Sequence, residues 1–171
     1  DGSTRRWIGE TTVPPDFPVS KLVTPRQVVI TTPDGLRVHA SLFEPPAALG
    51  GPARKPAIVY VHGGPPRQML LGWHYSDYYA NAYAVNQYLA SRGFVVLSVN
   101  YRSGTGYGLN FREALNYGAT GASEFNDVLG AGIYMRNRAD VDPARVGVWG
   151  GSYGGFLTAH ALARASDLFA A

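Results

Sequence analysis

The hexapeptide Gly150-Gly151-Ser152-Tyr153-Gly154-Gly155 constrains this chain more than any other feature, because it places a serine on a bend so tight that almost only glycine can flank it. Before it, Arg145-Val146-Gly147-Val148-Trp149 has the short apolar alternation of a buried strand. After it, residues 156–164 favour a helix. The predicted order is strand, sharp turn, helix. A G-x-S-x-G turn of this kind lifts the serine hydroxyl above the edge of a sheet in a strained backbone conformation. Gly150 and Gly154 are required where strand and helix approach so closely that a β-carbon would collide. Ser152 is therefore a candidate nucleophile. A plain glycine-rich connection would share the composition, and it is the strand before, the helix after and a second motif upstream that favour the chemical reading.

That second motif is His62-Gly63-Gly64-Pro65-Pro66, directly after the apolar run Ala57-Ile58-Val59-Tyr60-Val61. Acyl hydrolysis builds negative charge on the former carbonyl oxygen, and each donor already aimed at that oxygen contributes on the order of 3 kcal/mol. Gly63 and Gly64 expose their amides, and the prolines stiffen the exit. In an elbow of this type one donor is the amide of the residue after the nucleophile, here Tyr153, and the other comes from such a loop. Gly64 is the expected loop donor.

Coarse patterning predicts strands at 27–32, 36–43, 57–61, 94–99 and 145–149, the first two joined as a hairpin at Pro33-Asp34-Gly35. Helices are predicted at 79–92, 123–138 and 153–164. Ser123 is the expected cap of the second helix, and Val128, Leu129, Ile133 and Tyr134 its buried face. Alternation of strands and helices gives a mixed sheet, parallel in its later part and covered on both faces. Asn100-Tyr101-Arg102 follows a strand at its carboxyl end, where open α/β sheets bind ligands. Tyr101 and Arg102 are thus possible cleft-lining residues, with a loop-tying role favoured for Arg102.

Several stretches together resemble the prolyl oligopeptidase family of serine peptidases, in its acylaminoacyl-peptidase and dipeptidyl-peptidase-like branches. They are Thr32-Pro33-Asp34-Gly35, the His62-Gly63-Gly64-Pro65 loop, residues 100–108 (Asn-Tyr-Arg-Ser-Gly-Thr-Gly-Tyr-Gly), Asp140-Val141-Asp142-Pro143-Ala144-Arg145 and the elbow. The resemblance runs from about Thr24 to the last residue. It implies an α/β-hydrolase fold, here its first half, a short-peptide substrate, no cofactor, and an upstream β-propeller from which residues 1–23 would be the linker. Prolyl oligopeptidase itself has a tyrosine near the position of His62 that lends its hydroxyl to the oxyanion. With histidine there, the loop amide carries that role and His62 is a structural or cleft-lining residue.

A serine needs a histidine to take its proton and an acid to orient that histidine. In this fold the chain order is serine, acid, histidine. After Ser152 the chain offers only His160 and Asp167, and His160 lies on the elbow helix, pointing along it. His39 falls on a strand, with a solvent-facing side chain expected, and His74 in an aromatic loop; neither has the required order. The reading is that the base and its acid lie beyond Ala171 and that the chain is an inactive fragment. The alternatives are an esterase built on the same elbow, or a non-catalytic chain that needs a partner, with the edge of the elbow strand left unpaired.

Composition excludes several other classes. A formal net charge of +3 is too weak and scattered for nucleic-acid binding, and Arg5, Arg6, Arg136 and Arg138 read as solvated surface. No apolar run approaches the roughly eighteen residues of a membrane span. With 0 cysteines there is no disulfide or thiolate metal site, and no histidine pair has metal-ligand spacing. The compartment stays open between cytoplasmic and, if an upstream signal was removed, periplasmic or secreted.

Overall fold

The computed structural model describes residues 12–171. Arg5, Arg6 and the first part of the expected linker lie outside the described residues. The remainder of that segment, from 12 to 23, is held to the body of the protein by Val23, whose amide and carbonyl both bond the Gln87 side chain at 2.8 Å.

Five strands build one sheet in the order β1-β2-β4-β3-β5. They are β1 (Arg26–Thr31), β2 (Arg37–Phe43), β3 (Lys55–Val61), β4 (Val95–Asn100) and β5 (Val141–Gly150). β1 and β2 form the expected antiparallel hairpin, closed by the bond from the Gly35 amide to the Thr32 carbonyl. β2 also runs antiparallel to β4, whereas β4, β3 and β5 are mutually parallel, so the sheet is mixed as its patterning predicts.

The helices are α1 (Asp77–Ser91), the one-turn α2 (Leu109–Arg112), α3 (Phe125–Arg136) and α4 (Tyr153–Arg164). Period-two alternation assigns the two faces of the sheet. Ala57, Val59, Val61, Val95, Leu97 and Val99 share one core with α3 and α4. Ile58 and Val96 pack with Phe43, Tyr83 and Ala90, and Tyr60 with Tyr79 and Ala82, on the face covered by α1. Strands buried on both faces read as continuous apolar runs, and all six residues of β4 are buried.

Four local expectations need correction. Ser123 does not cap α3: Glu124 holds that position in helical backbone geometry, and no side chain bonds the free amides. Of the expected buried face of α3, Val128 is buried and Leu129 and Tyr134 pack against the core, but Ile133 is exposed, and Phe125, Ala131 and Met135 complete the buried stripe. Arg136 and Arg138 are not free surface charges: Arg136 bonds the Asp167 carbonyl, and Arg138 lies largely out of water between Glu44 and Asp140. His39 is half-buried, stacked on Tyr107 with centroids 4.8 Å apart.

β5 stands at the end of the strand order, and the last two residues run along its outer edge. The Ala170 amide bonds the Val146 carbonyl, and the Val148 amide bonds the Ala171 carbonyl, each at 2.8 Å. Part of the β5 edge is therefore paired.

Candidate active site

β5 ends at Gly150 and α4 begins at Tyr153, so the serine occupies the turn between them. Ser152 has φ 56° and ψ −127°, a conformation that costs a non-glycine residue on the order of 1–3 kcal/mol. Packing enforces it. A β-carbon on Gly154 would strike the Val61 carbonyl oxygen and stand 2.7 Å from the His62 carbonyl oxygen, so α4 can leave the strand this steeply only with glycine there. Ser152 is exposed, and its hydroxyl has no hydrogen-bond partner among the described residues.

The His62 to Pro65 loop leaves β3 beside it. A β-carbon added to Gly63 would come within 3.1 Å of the Ser152 Cβ and 2.9 Å of the Tyr79 hydroxyl, which measures how tightly the loop lies against the serine. Gly64 has φ 136°, open to glycine and unfavourable to other residues. Neither the Gly64 nor the Tyr153 amide is used in a turn or cap hydrogen bond among the described residues. Tyr153 is also the first residue of α4, whose opening amides carry the positive end of the helix dipole.

The three residues considered for the cleft wall are all buried. His62 is fully buried, its Nδ1–H donating to the Gly63 carbonyl at 2.7 Å, and burial pushes its pKa down to about 4. Its ring stacks on Tyr101 at 4.2 Å, and the Tyr101 hydroxyl donates to the His62 carbonyl at 2.7 Å. This pair fixes the peptide from which Gly63 and Gly64 extend. Arg102 is buried too, forking between Asp127 and Asp34, and its loop-tying role is the one its contacts describe.

None of the four histidines bonds Ser152. His39 bonds Gln27, and His62 is committed to Gly63. His74 accepts the Ser76 amide on Nδ1 and so donates from Nε2 to the Gln68 carbonyl. His160 packs against Phe125 and Phe156. No cluster that could hold a metal is found among the described residues, and no described helix is long and apolar enough to cross a membrane.

Three site neighbours were not singled out from sequence. Glu124 is completely buried and accepts hydrogen bonds from the Ser103 hydroxyl, the Gly118 amide and the Tyr153 hydroxyl, tying the elbow to the loops before α3. Tyr78 brings its hydroxyl against Gly151, and Arg67 lies over the Tyr79 ring at 4.6 Å. An acid three residues before Asp127 at the start of an otherwise apolar helix was the available signal for Glu124. Nothing local marks the other two. A separate cavity of about 690 Å³, lined by Phe17, Leu49, Trp73 and Tyr88, does not include Ser152.

A mixed sheet whose parallel strand delivers a strained serine to a helix, beside a glycine loop whose amides enter no turn or cap hydrogen bond among the described residues, is the strand-turn-helix arrangement of the α/β-hydrolase class. Comparison with known proteins narrows this further. Residues 80–171 match the prolyl oligopeptidase family, and the chain belongs to that family. It is 36% identical over 135 residues to the uncharacterized peptidase YuxL of Bacillus subtilis (strain 168), covering 78% of this chain and 19% of that protein. To acylamino-acid-releasing enzyme 1 of Oryza sativa subsp. japonica it is 37% identical over 119 residues, 70% of this chain and 14% of the relative. A puromycin-hydrolyzing peptidase of Mycobacterium tuberculosis superposes with TM-score 0.71 and 32% identity, covering 88% of this chain and 22% of that one. The chain thus spans a fifth or less of the length of the curated relatives it matches.

Proposed function

We propose that Ser152 is the nucleophile of a serine peptidase that cleaves short peptides through an acyl-enzyme. The observation that carries this reading is the exposed, strained Ser152 lying against Gly63, with the Gly64 and Tyr153 amides unspent. In the reaction Ser152 Oγ bonds the scissile carbonyl carbon as its proton passes to a general base. The charge that moves to the carbonyl oxygen is held by the two amides, the C–N bond breaks, and the base returns the proton to the departing amine. Water then repeats the sequence on the ester. The base and its orienting acid are assigned to polypeptide outside these 171 residues, since none of the histidines here bonds Ser152, and so is a β-propeller upstream of the linker 1–23. Peptides are favoured over simple esters because relatives of this length match are named for releasing acylamino acids or dipeptides.

The test uses the full-length protein that carries this chain. A fluorophosphonate probe is expected to label Ser152, and Ser152→Ala is expected to abolish labelling and lower kcat on peptide amides by about 10⁴-fold or more. Turnover of esters with no turnover of peptide amides would transfer the assignment to an esterase. An unlabelled Ser152 would refute nucleophilic catalysis.

A further inference from the structure

The arginines among the described residues follow a rule with one exception. Those left without a partner among the described residues, such as Arg37, Arg54, Arg92 and Arg145, are exposed, where water satisfies the guanidinium. Those withdrawn from water have acceptors: Arg102 and Arg138 each bridge two acidic residues, and Arg136 bonds a carbonyl. Arg67 is half-buried, its Nε is shut off from solvent, and its side chain makes no hydrogen bond or ion pair among the described residues. Its one side-chain contact of note is with the face of Tyr79. A partly desolvated cation of this kind carries a standing cost that an acceptor would remove.

Its position gives that vacancy a meaning. Arg67 lies two residues after Pro65, and a β-carbon on Gly64 would touch its Cβ at 3.2 Å. Its backbone is clamped, the amide bonding the Pro65 carbonyl and the carbonyl accepting the Thr105 amide. The Tyr79 ring that supports the guanidinium has its hydroxyl against Gly63, which itself lies against Ser152. A rigidly rooted, unpaired positive charge therefore stands one tyrosine away from the nucleophile. We infer that Arg67 is a specificity residue that binds a carboxylate of the substrate, either the free carboxyl terminus of the peptide or an acidic side chain near the scissile bond. A guanidinium takes a carboxylate through two parallel N–H donors, and stacking on Tyr79 pre-orients that fork. The inference rests on the peptidase reading and adds the substrate's charge to it.

The test compares the full-length wild-type protein with Arg67→Met, which keeps the apolar stem over Tyr79 and loses the charge. Four substrates of one peptide are used: free and amidated at the carboxyl terminus, and with glutamate or glutamine next to the cleaved bond. The wild type is expected to favour one carboxylate-bearing member of its pair by roughly 10- to 100-fold in kcat/KM, mostly through KM, the range expected of a charge-assisted hydrogen bond. In Arg67→Met that preference is expected to collapse while turnover of the amidated, glutamine-containing peptide and fluorophosphonate labelling of Ser152 stay within about threefold, and Arg67→Lys should restore part of it. Equal turnover within both pairs by the wild type, or a preference that survives Arg67→Met, would overturn the assignment while leaving the peptidase intact. Loss of labelling in Arg67→Met, with Arg67→Lys also unlabelled, would make Arg67 a structural residue and equally overturn it. No turnover of any peptide by the wild type would instead remove the peptidase reading on which it stands.

Discussion

Two neighbouring glycines show how local the elbow's demands are. A β-carbon on Gly154 would collide with the Val61 carbonyl oxygen and lie 2.8 Å from the Val61 carbonyl carbon, both rigid backbone at the end of β3. A β-carbon on Gly155, one position on, would meet only the Gly150 carbonyl oxygen at 3.3 Å. Gly154→Ala must push α4 off β3 and move the Tyr153 amide with it, at a cost of about 1–3 kcal/mol or more, and is expected to lose fluorophosphonate labelling. Gly155→Ala gains up to about 1 kcal/mol of helix propensity against that modest contact. It should keep its label and stay within about 1 kcal/mol of the wild type in denaturant unfolding. If the two variants behaved alike, close approach would not be what fixes the turn. The hexapeptide was readable as an elbow because this requirement is met by neighbours in sequence.

At the scale of elements, Arg102 joins three of them. It leaves the end of β4, forks onto Asp127 near the start of α3, and reaches Asp34 in the β1–β2 turn. Asp127 is completely buried and accepts from the Arg102 amide as well; burial raises its carboxyl pKa while the guanidinium pulls it back. Asp34 is partly exposed, and the Arg102 hydrogen bonds hold its carboxyl well below the usual range. Removing one partner from a buried pair strands the other charge, so Asp127→Ala should cost about 3–5 kcal/mol. Asp34→Ala should cost about 1 kcal/mol or less, because water replaces it. Urea unfolding of the two variants checks the ratio, and equal losses would contradict the burial argument.

This tie also marks the boundary of what patterning could disclose. Strands and helices were legible, with α4 found at its observed bounds and β4 displaced by one residue, since alternation and glycine breaks are short-range signals. β5 begins earlier than expected, at Val141, because Lys55 of β3 pairs with it there, an arrangement that a residue-by-residue pattern does not record. The turn that holds Ser152 and the loop that holds Gly64 were legible within motifs. Glu124, which reaches Tyr153 across 29 residues, and Arg67 were not, because their contacts exist only once the loops have assembled.

Across the whole molecule, the buried His62 makes stability depend on pH. Its imidazole is neutral in the fold, with Nδ1–H on the Gly63 carbonyl and Nε2 buried without a partner among the described residues, and burial lowers its pKa from 6.5 to about 4. Between those values the unfolded chain binds a proton that the folded one refuses, so the free energy of unfolding falls as pH is lowered through that window. The stabilisation is fully present above pH 6.5 and is lost by about pH 4, amounting to about 3 kcal/mol at 1.36 kcal/mol per unit. Asp34 acts in the same direction in a separate, lower window. Its depressed pKa gives stability that is present above the ordinary carboxylate value and lost as pH falls below it. Denaturant midpoints measured from pH 7 to 4 should therefore fall steadily in the wild type and much less in His62→Gln, and the difference between the two profiles isolates the imidazole. Because His62 also carries the peptide that presents Gly63 and Gly64, its protonation would disturb the His62 to Pro65 loop as it destabilises the fold. Parallel profiles in the two proteins would show that the fold does not depress the His62 pKa and would overturn the burial argument.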